Sequence, residues 1–467
     1  MKTELYLITI TFLCITACNP STKKDSKQNP IVTFDSLAVT PPMGWNSYNC
    51  FGATVRESEV KANADFLAGN LKKHGWQYIV VDYCWFYPHH PGSIQDNPPQ
   101  FRLPKDGSYV PWLAMDQFGR LFPYVGKFPS CTSDQGFKPL ADYIHQQGLK
   151  FGIHVMRGIP RQAVWAKTPV KGTNGINAAM IADTSSTCGW LNSMYGLDMS
   201  KTGSQEYLNS LFELYGQWGV DFIKVDDLSS PYYLPEIEGY RKAIAQCGRP
   251  IVFSTSPGAT PIAEGSHVMN HANMWRVSGD FWDNWEQLNK MFELAHQWSP
   301  YRKHGHWPDL DMLQLGRLSR RGPVGNERET RFTQNEQYTH FTLWCIAKSP
   351  LMMGGDLTVA DQFTLSLLSN NEVIAVDQQS ENNHEVRNQN GIVIWTADQP
   401  GTRSKYMAVF NTNDGKTESI VVSWSEIGVT GELKVRDLWT KKDLGKFKEE
   451  LSVNVEPHGC RLFRIGE

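Results

Sequence analysis

One stretch near the middle of the chain has the composition of a catalytic strand end. Residues 221–228 read Asp-Phe-Ile-Lys-Val-Asp-Asp-Leu, so strand-forming residues lead directly into Asp226 and Asp227. Such an apolar run is typical of a parallel strand that is buried on both faces. In an α/β barrel, a carboxylate at the carboxyl end of a strand lies on the face that carries out chemistry.

The residue types beside Asp226 suggest what that carboxylate would do. Lys224 lies two residues earlier, so its side chain is predicted on the same side of the strand. A neighbouring cation favours the ionised carboxylate, which is the form that a nucleophile needs. A purely structural alternative is an Asp that caps the turn from a strand into a helix.

Other predicted strand ends supply a compatible set of side chains. Together they place these residues on one rim: Trp45, Asp82, Lys224, Asp226, Arg276, Asp280 and Asp309. Carboxylates accept hydrogen bonds from sugar hydroxyls, and an indole packs on the apolar face of a sugar ring. Two carboxylates on such a rim can divide glycoside cleavage into the roles of nucleophile and proton donor.

Metal binding is the competing use of clustered Asp residues. The two cations on the same rim would repel a divalent ion, and no tight Asp-x-Asp-x-Asp loop occurs in the sequence. We therefore predict neither a metal nor another cofactor. The formal net charge of −3 offers no basic surface for nucleic acid.

Alternating strands and helices must position these residues. We predict strands near 41–48, 78–82, 150–155, 221–226, 250–254, 274–278, 306–312 and 351–356, with helices between most of them. About eight such units predict a parallel (β/α)8 barrel. An open doubly wound sheet is the alternative, but no Gly-x-Gly-x-x-Gly turn follows any of the strands.

The pattern changes in the C-terminal part of the chain. From about residue 380, short apolar strands such as 392–395 and 406–410 alternate with Asn, Asp, Gly and Pro clusters. This spacing is typical of an antiparallel β-sandwich. We predict the barrel, with long insertions at 83–131 and 157–200, over 39–365 and the sandwich over 366–467.

The N-terminus resembles a bacterial lipoprotein signal. Lys2 precedes an apolar run over 5–17, and Ile-Thr-Ala-Cys at 15–18 resembles the lipobox before a lipidated cysteine. An ordinary signal peptide is the alternative. Residues 1–18 are thus predicted to be the signal and 19–38 a flexible tether, with Cys18 carrying a lipid anchor outside the cytoplasm, in the periplasm or at the cell surface.

Five motifs carry a resemblance to a known family. They are Pro-Pro-Met-Gly-Trp-Asn-Ser (41–47), Lys-Val-Asp (224–226), Trp-Arg-Val-Ser-Gly-Asp (275–280), Trp-Pro-Asp-Leu-Asp-Met-Leu (307–313) and Ser-Pro-Leu-Met-Met-Gly-Gly-Asp-Leu (349–357). In this order they resemble glycoside hydrolase family 27, which holds α-galactosidases and α-N-acetylgalactosaminidases. The similarity runs from about residue 40 to residue 467.

The resemblance assigns a role to each matching residue. It implies a retaining double displacement in which Asp226 is the nucleophile and Asp280 the general acid/base. It places Trp45, Asp82, Lys224 and Arg276 around the terminal sugar. It also implies a disulfide between Cys50 and Cys84.

Two departures from the family pattern concern the sugar. The family usually shows Asp-Asp-Cys-Trp, in which the second Asp helps to bind galactose hydroxyls, but this chain has Tyr83 at that position. Galactose-specific members carry a Glu and then a bulky residue after their fifth strand. The small Ser256 and Ala259 here resemble the N-acetylgalactosamine-specific members, which need room for the acetamido group.

These observations predict a retaining exo-glycosidase that acts on terminal α-galactosides in an oligosaccharide or glycan. The alternative substrates are α-N-acetylgalactosaminides and then β-L-arabinopyranosides, whose ring is galactose without the hydroxymethyl arm. A sugar-binding lipoprotein on an inactive scaffold is the alternative outside enzymes. The presence of both Asp226 and Asp280 argues against that alternative.

Overall fold

The computed structural model describes residues 34–87, 100–102, 109–111, 113–132 and 135–466 of the chain. The predicted signal peptide, Cys18 and most of the predicted tether lie outside these ranges. The last tether residues, 34–38, pack on the folded body instead of leaving it, because Phe34 and Ala38 are both buried. Within the described ranges, no helix is both long enough and apolar enough to cross a bilayer.

Eight parallel strands form the barrel. They are β1 Met43–Asn46, β2 Tyr78–Val81, β3 Lys150–Met156, β4 Phe222–Asp226, β5 Val252–Thr255, β6 Met274–Arg276, β7 Trp307–Asp309 and β8 Leu351–Met353. The order in the sheet is β7-β6-β5-β4-β3-β2-β1-β8. Just beyond β7, Leu313 forms a parallel bridge with Met353 of β8, which closes the ring. The predicted barrel is confirmed.

Helices cover the outside of the barrel and lead away from it. They are α1 Glu57–Phe66, α2 Lys138–Gln146, α3 Ser204–Trp218, α4 Leu234–Gln246, α5 Gly265–His271, α6 Trp285–Trp298, α7 Gln334–Ala347, α8 Gln362–Leu368 and α9 Asn371–Gln379. Their ends follow local chemistry. Thr333 caps α7 by accepting a hydrogen bond from the Glu336 amide at 3.3 Å.

Two insertions extend the barrel loops. The first carries a small strand pair, Gln100–Arg102 with Tyr109–Pro111. The second carries short helices at Arg161–Ala166 and Ala178–Ile181 and a three-stranded sheet formed by Ile159–Pro160, Met194–Leu197 and Ala182–Thr187. A further small pair, Arg317–Leu318 with Arg328–Glu329, follows β7.

Eight antiparallel strands form the C-terminal sandwich. They are β9 Glu381–Gln389, β10 Ile392–Asp398, β11 Lys405–Asn411, β12 Glu418–Ser423, β13 Glu432–Asp437, β14 Lys442–Lys448, β15 Glu450–Val455 and β16 Cys460–Gly466. One sheet has the order β9-β10-β11-β16-β13-β14, and β12 pairs with β15. The predicted sandwich is confirmed, and the predicted division at residue 366 falls within α8.

The core of the barrel extends to one face of the sandwich, which also has a second core of its own. Phe292 of α6 packs edge-on against Phe410 of β11, with ring centroids 4.9 Å apart. Thr339 of α7 donates a hydrogen bond to the carbonyl of His458 at 2.7 Å. Helix α7 therefore contacts the barrel on one side and the sandwich on the other, which explains why nearly all of its side chains are buried.

Candidate active site

A cavity of about 330 Å³ opens at the carboxyl ends of the barrel strands. It is lined by Tyr48, Asp82, Tyr83, Trp190, Lys224, Asp226, Ser256, Pro257, Gly258, Gly279 and Asp280. A larger cleft of about 940 Å³ lies outside the barrel, between the second insertion and α4. The smaller cavity is the candidate active site, because it gathers the carboxylates at the catalytic rim of the barrel.

Asp226 ends β4 at the floor of the cavity. Its Oδ2 atom lies 3.0 Å from Nε2 of His154, and its Oδ1 atom accepts a hydrogen bond from the Asp227 amide at 2.9 Å. Burial opposes ionisation of Asp226, but the bond to His154 and the charge of Lys224 outweigh burial and lower its pKa. Asp226 is therefore an ionised and fixed carboxylate, as a nucleophile requires.

The residue after the nucleophile has a supporting role. Asp227 adopts a left-handed conformation with φ 60°, and its carboxylate pairs with Arg157 at 2.9 Å. Arg157 also pairs with Glu236 of α4 at 2.6 Å. Since both Arg157 partners are buried, this network fixes the backbone whose amide supports Asp226.

A buried ion pair forms one wall of the cavity. Lys224 Nζ lies 3.1 Å from Oδ2 of Asp82, and Asn46 donates a second hydrogen bond to the same oxygen at 2.8 Å. Burial disfavours the charged form of each partner. The charge of Lys224 nevertheless keeps the pKa of Asp82 far below its usual value, and the charges of Asp82 and Asp226 raise the pKa of Lys224.

Asp280 faces the same cavity from the segment after β6, with a side chain that is 49% exposed. Arg276 holds this segment from beneath. Its guanidinium donates to the carbonyl of Gly279 at 2.6 Å and lies 3.3 Å from Oδ1 of Asp280. Asp226 and Asp280 thus differ in environment, since one is enclosed and hydrogen-bonded while the other is accessible to solvent.

Arg276 lies under the floor of the cavity, and it does not form part of the lining. It is 2% exposed and pairs with the buried Asp311 at 2.8 Å. Burial raises the pKa of Asp311 to about 6 despite this pair. Asp309 accepts a hydrogen bond from the Asp311 amide at 2.9 Å, so it orients this segment from beneath.

Two other predicted sugar contacts, Trp45 and Ala259, are also absent from the lining of the cavity. Trp45 is fully buried in the core, and its Nε1 atom donates to the carbonyl of Gly355 at 2.9 Å. Ala259 is exposed but lies outside the lining, whereas Ser256 of the same loop is part of it. The core position of Trp45 follows from its place inside β1, where the neighbouring strands enclose the indole.

Tyr83 does line the cavity, at a position that sequence reasoning singled out. Its ring meets the rings of Tyr48 and His154 edge-on, with centroids 5.9 Å and 5.7 Å away. Burial raises its pKa well above the ordinary value, so the side chain is a neutral phenol. The wall that would carry a second carboxylate in the family pattern is aromatic here.

Gly258 allows two rim loops to touch. A Cβ atom at this position would lie 1.8 Å from the carbonyl oxygen of Ser278, which is far inside van der Waals contact. The loop after β5, with Ser256, therefore packs directly on the segment that leads to Asp280.

Sequence reasoning did not single out His154 beside Asp226, nor Tyr48 and Trp190, which line the cavity. His154 lies near the end of β3, a strand that the sequence predicts. A histidine at the rim end of a predicted barrel strand was the signal that could have identified it as a site residue. Trp190 lies in the second insertion and is 40% exposed at the cavity. Nothing in the sequence places that insertion against the rim.

The structure corrects one expectation from the resemblance, because it contains no disulfide between Cys50 and Cys84. Cys50 and Cys84 are buried free thiols. The other cysteines in the described ranges are also free thiols, and all of them except Cys247 are buried. The two thiols have different surroundings. Burial raises the pKa of both, with Asp356 and Arg320 beside Cys50 and Lys127 beside Cys84.

A closed parallel barrel with two carboxylates facing one rim cavity, joined to a β-sandwich, defines a glycoside hydrolase of the barrel type. Comparison with known proteins narrows this class. Residues 194–379 match the model described as alpha galactosidase A, and residues 389–465 match the alpha galactosidase C-terminal beta sandwich domain.

Solved structures and curated relatives agree with these models. The chain is 47% identical to a β-L-arabinopyranosidase of glycoside hydrolase family 27 from Geobacillus stearothermophilus, with a TM-score of 0.88 and coverage of 93% of this chain and 98% of that one. A proposed α-N-acetylgalactosaminidase from Bacillus halodurans is 42% identical, with a TM-score of 0.80 and coverage of 91% and 97%. Alpha-galactosidase 2 of Arabidopsis thaliana is 27% identical, with coverage of 94% and 93%.

The chain belongs to glycoside hydrolase family 27. The family prediction is therefore confirmed, and the chain is a glycoside hydrolase, as predicted.

Proposed function

We propose that this enzyme removes terminal α-galactosyl residues with retention of the anomeric configuration. The observation that carries the proposal is the contrast between the two carboxylates of the cavity. Asp226 is buried and kept ionised by its neighbours, whereas half of the Asp280 side chain is open to solvent. The nucleophile must be ionised and fixed, whereas the general acid/base must reach first the departing oxygen and then the attacking water, which an open carboxylate can do.

In the first step, a carboxylate oxygen of Asp226 bonds to the anomeric carbon while the glycosidic C–O bond breaks. Asp280 gives its proton to the departing oxygen, so the leaving group departs as a neutral alcohol. In the second step, Asp280 takes a proton from water as the water oxygen attacks the anomeric carbon. The bond between the anomeric carbon and Asp226 breaks in the same step, so one water molecule has been added across the glycosidic bond.

The walls of the cavity suit a neutral sugar. Asp82 and Lys224 are already paired, so the pair presents an acceptor and donors without a large net charge. Trp190 offers an exposed indole at the entrance, where the flat face of a second sugar or of another leaving group can pack.

β-L-Arabinopyranosides are the second candidate substrates, and two observations favour them. The Tyr83 ring occupies the wall where other family members have a carboxylate that binds galactose hydroxyls. A family member from Geobacillus stearothermophilus that is 47% identical is a β-L-arabinopyranosidase. A ring without the hydroxymethyl arm would fit beside Tyr83 with less displacement of its surroundings.

A panel of p-nitrophenyl glycosides tests the proposal. We expect measurable hydrolysis of the α-galactoside, and nuclear magnetic resonance should show the α anomer of galactose as the first product. If the β-L-arabinopyranoside is cleaved at least tenfold faster than the α-galactoside and the α-N-acetylgalactosaminide, the galactosidase assignment is wrong. Release of β-galactose as the first product would refute the retaining mechanism.

We also propose that the mature enzyme is anchored outside the cytoplasm through a lipid on Cys18. The proposal is supported by the apolar run at 5–17 and by the Ile-Thr-Ala-Cys sequence at 15–18. The polar residues that follow would let the catalytic body reach a glycan near the membrane.

A further inference from the structure

Two histidines and a glutamate form a cluster on the outer helices, away from the catalytic cavity. His267 and His271 are four residues apart on α5, so they share one face of the helix. Glu238 comes from the neighbouring α4. One potential ligand atom of each residue lies within 4.8 Å of the other two, and His267 Nε2 lies 3.7 Å from Oε1 of Glu238.

The other ring nitrogens already have partners. His271 Nδ1 lies 2.8 Å from the backbone carbonyl of His267, which can only accept, so Nδ1 carries the proton and Nε2 carries the free lone pair. His267 Nδ1 lies 2.6 Å from the hydroxyl of Tyr232. Histidines that bind metals use their second nitrogen in this way, because such a bond fixes the ring and its tautomer.

His267 Nε2 is the atom that lacks a partner. It is buried and has no hydrogen-bond partner among the described residues. Its separation of 3.7 Å from Glu238 is too long for a hydrogen bond.

The cluster is also reachable from solvent. The Glu238 side chain is 40% exposed, and it lines the outer cleft of about 940 Å³. Donor atoms around a tetrahedral zinc ion are about 3.4 Å apart, given bonds of about 2.0–2.1 Å. The three donors lie within 4.8 Å of one another, so both the exposed Glu238 side chain and the two imidazole rings would shift to reach that spacing when an ion binds.

We propose that Glu238, His267 and His271 bind a divalent transition-metal ion of the zinc class. Two imidazoles and one carboxylate match the ligands that zinc prefers, whereas calcium and magnesium prefer oxygen ligands alone. The ion would cross-link α4, which follows the strand of Asp226, to α5, which follows the loop of Ser256. Its role is to stabilise this part of the barrel wall, and it takes no part in the reaction.

Zinc binding to the full-length, chelator-treated protein tests the proposal. Equilibrium dialysis with Zn²⁺ alone should show one fewer bound equivalent in His271→Ala than in the unchanged protein, and at least tenfold weaker binding at that site in Glu238→Gln. Zn²⁺ should raise the Tm of the unchanged protein more than that of either variant. Co²⁺ in the same site should give the visible absorption of a four-coordinate ion, which either variant should lose.

The matched control is His296→Ala. His296 is an exposed imidazole of α6 that lies 3.5 Å from Glu385, so it forms a histidine–carboxylate pair without a second histidine. This variant should keep the full zinc stoichiometry. Equal zinc binding by the unchanged protein, His271→Ala and Glu238→Gln would overturn the proposal, as would the loss of the same equivalent in His296→Ala. Glycosidase activity without zinc is expected in all variants, so this test is independent of the proposed function.

Discussion

His154 should control the pH at which the nucleophile becomes active. It is 1% exposed, and its Nε2 atom lies 3.0 Å from Oδ2 of Asp226. With the proton on Nε2, it donates to the ionised carboxylate and stabilises the form of Asp226 that attacks the sugar. His154→Leu removes the donor and retains an apolar side chain of similar size.

The size of the effect follows from the bond that is lost. A hydrogen bond to a charged group contributes about 1.5–3 kcal/mol. One pKa unit corresponds to about 1.4 kcal/mol, so the pKa of Asp226 should rise by about 1–2 units in His154→Leu. Because activity requires ionised Asp226 and falls as the pH drops through this pKa, the acid limb of kcat/KM should move to higher pH by the same amount.

The assay is the pH dependence of kcat/KM for the best p-nitrophenyl glycoside, since kcat/KM reports the ionisation of the free enzyme. The control is His154→Gln, whose amide can still donate a hydrogen bond, and its acid limb should move less. If the acid limb of His154→Leu stays where it is in the unchanged enzyme, His154 does not stabilise the ionised nucleophile. A loss of activity that is the same at every pH would refute the reasoning as well.

Three further predictions concern the catalytic pair, the ion pair and the anchor. Asp226→Ala should abolish turnover. In Asp280→Ala, an activated aryl glycoside should restore the first step, because a good leaving group needs no proton. A crystal structure should show the carboxyl groups of Asp226 and Asp280 about 5 Å apart, whereas a separation of about 8 Å would indicate inversion. Lys224→Met should lower the free energy of unfolding by about 3–5 kcal/mol in urea, because Asp82 would remain buried without its partner; a loss within the scatter of surface variants would contradict this. Cys18→Ser should release the enzyme from the host membrane, and unchanged membrane association would exclude the lipid anchor.

The barrel could be predicted because each of its strands carries a local signal. Residues 222–226 form a strand with buried apolar side chains and a terminal Asp, and 78–81 repeat this pattern. Such runs are typical of a strand covered on both faces. Helix α5, between β5 and β6, has seven residues, of which only Gly265 and Val268 are buried, so its apolar periodicity is too weak to detect from the sequence.

The candidate site could be predicted only in part, because sequence position fixes a residue at the rim but does not fix its exposure. Asp226 ends β4, Lys224 lies two residues before it and Asp82 directly follows β2, and all three face the cavity. Trp45 is the penultimate residue of β1 and Arg276 is the last residue of β6, yet the core encloses the indole and Arg276 pairs with the buried Asp311 beneath the floor. Those outcomes depend on neighbours that are distant in sequence.

The contact between Gly258 and the Ser278 carbonyl restricts how this enzyme can change its substrate. Any side chain at residue 258 would displace the segment that leads to Asp280. A mutation selected there to reshape the sugar pocket would also alter proton delivery to the leaving group, and most such variants would lose turnover before they gained a new sugar. Substrate preference can therefore drift more freely through Ser256 or Tyr83, and laboratory evolution should randomise those two positions while keeping the glycine.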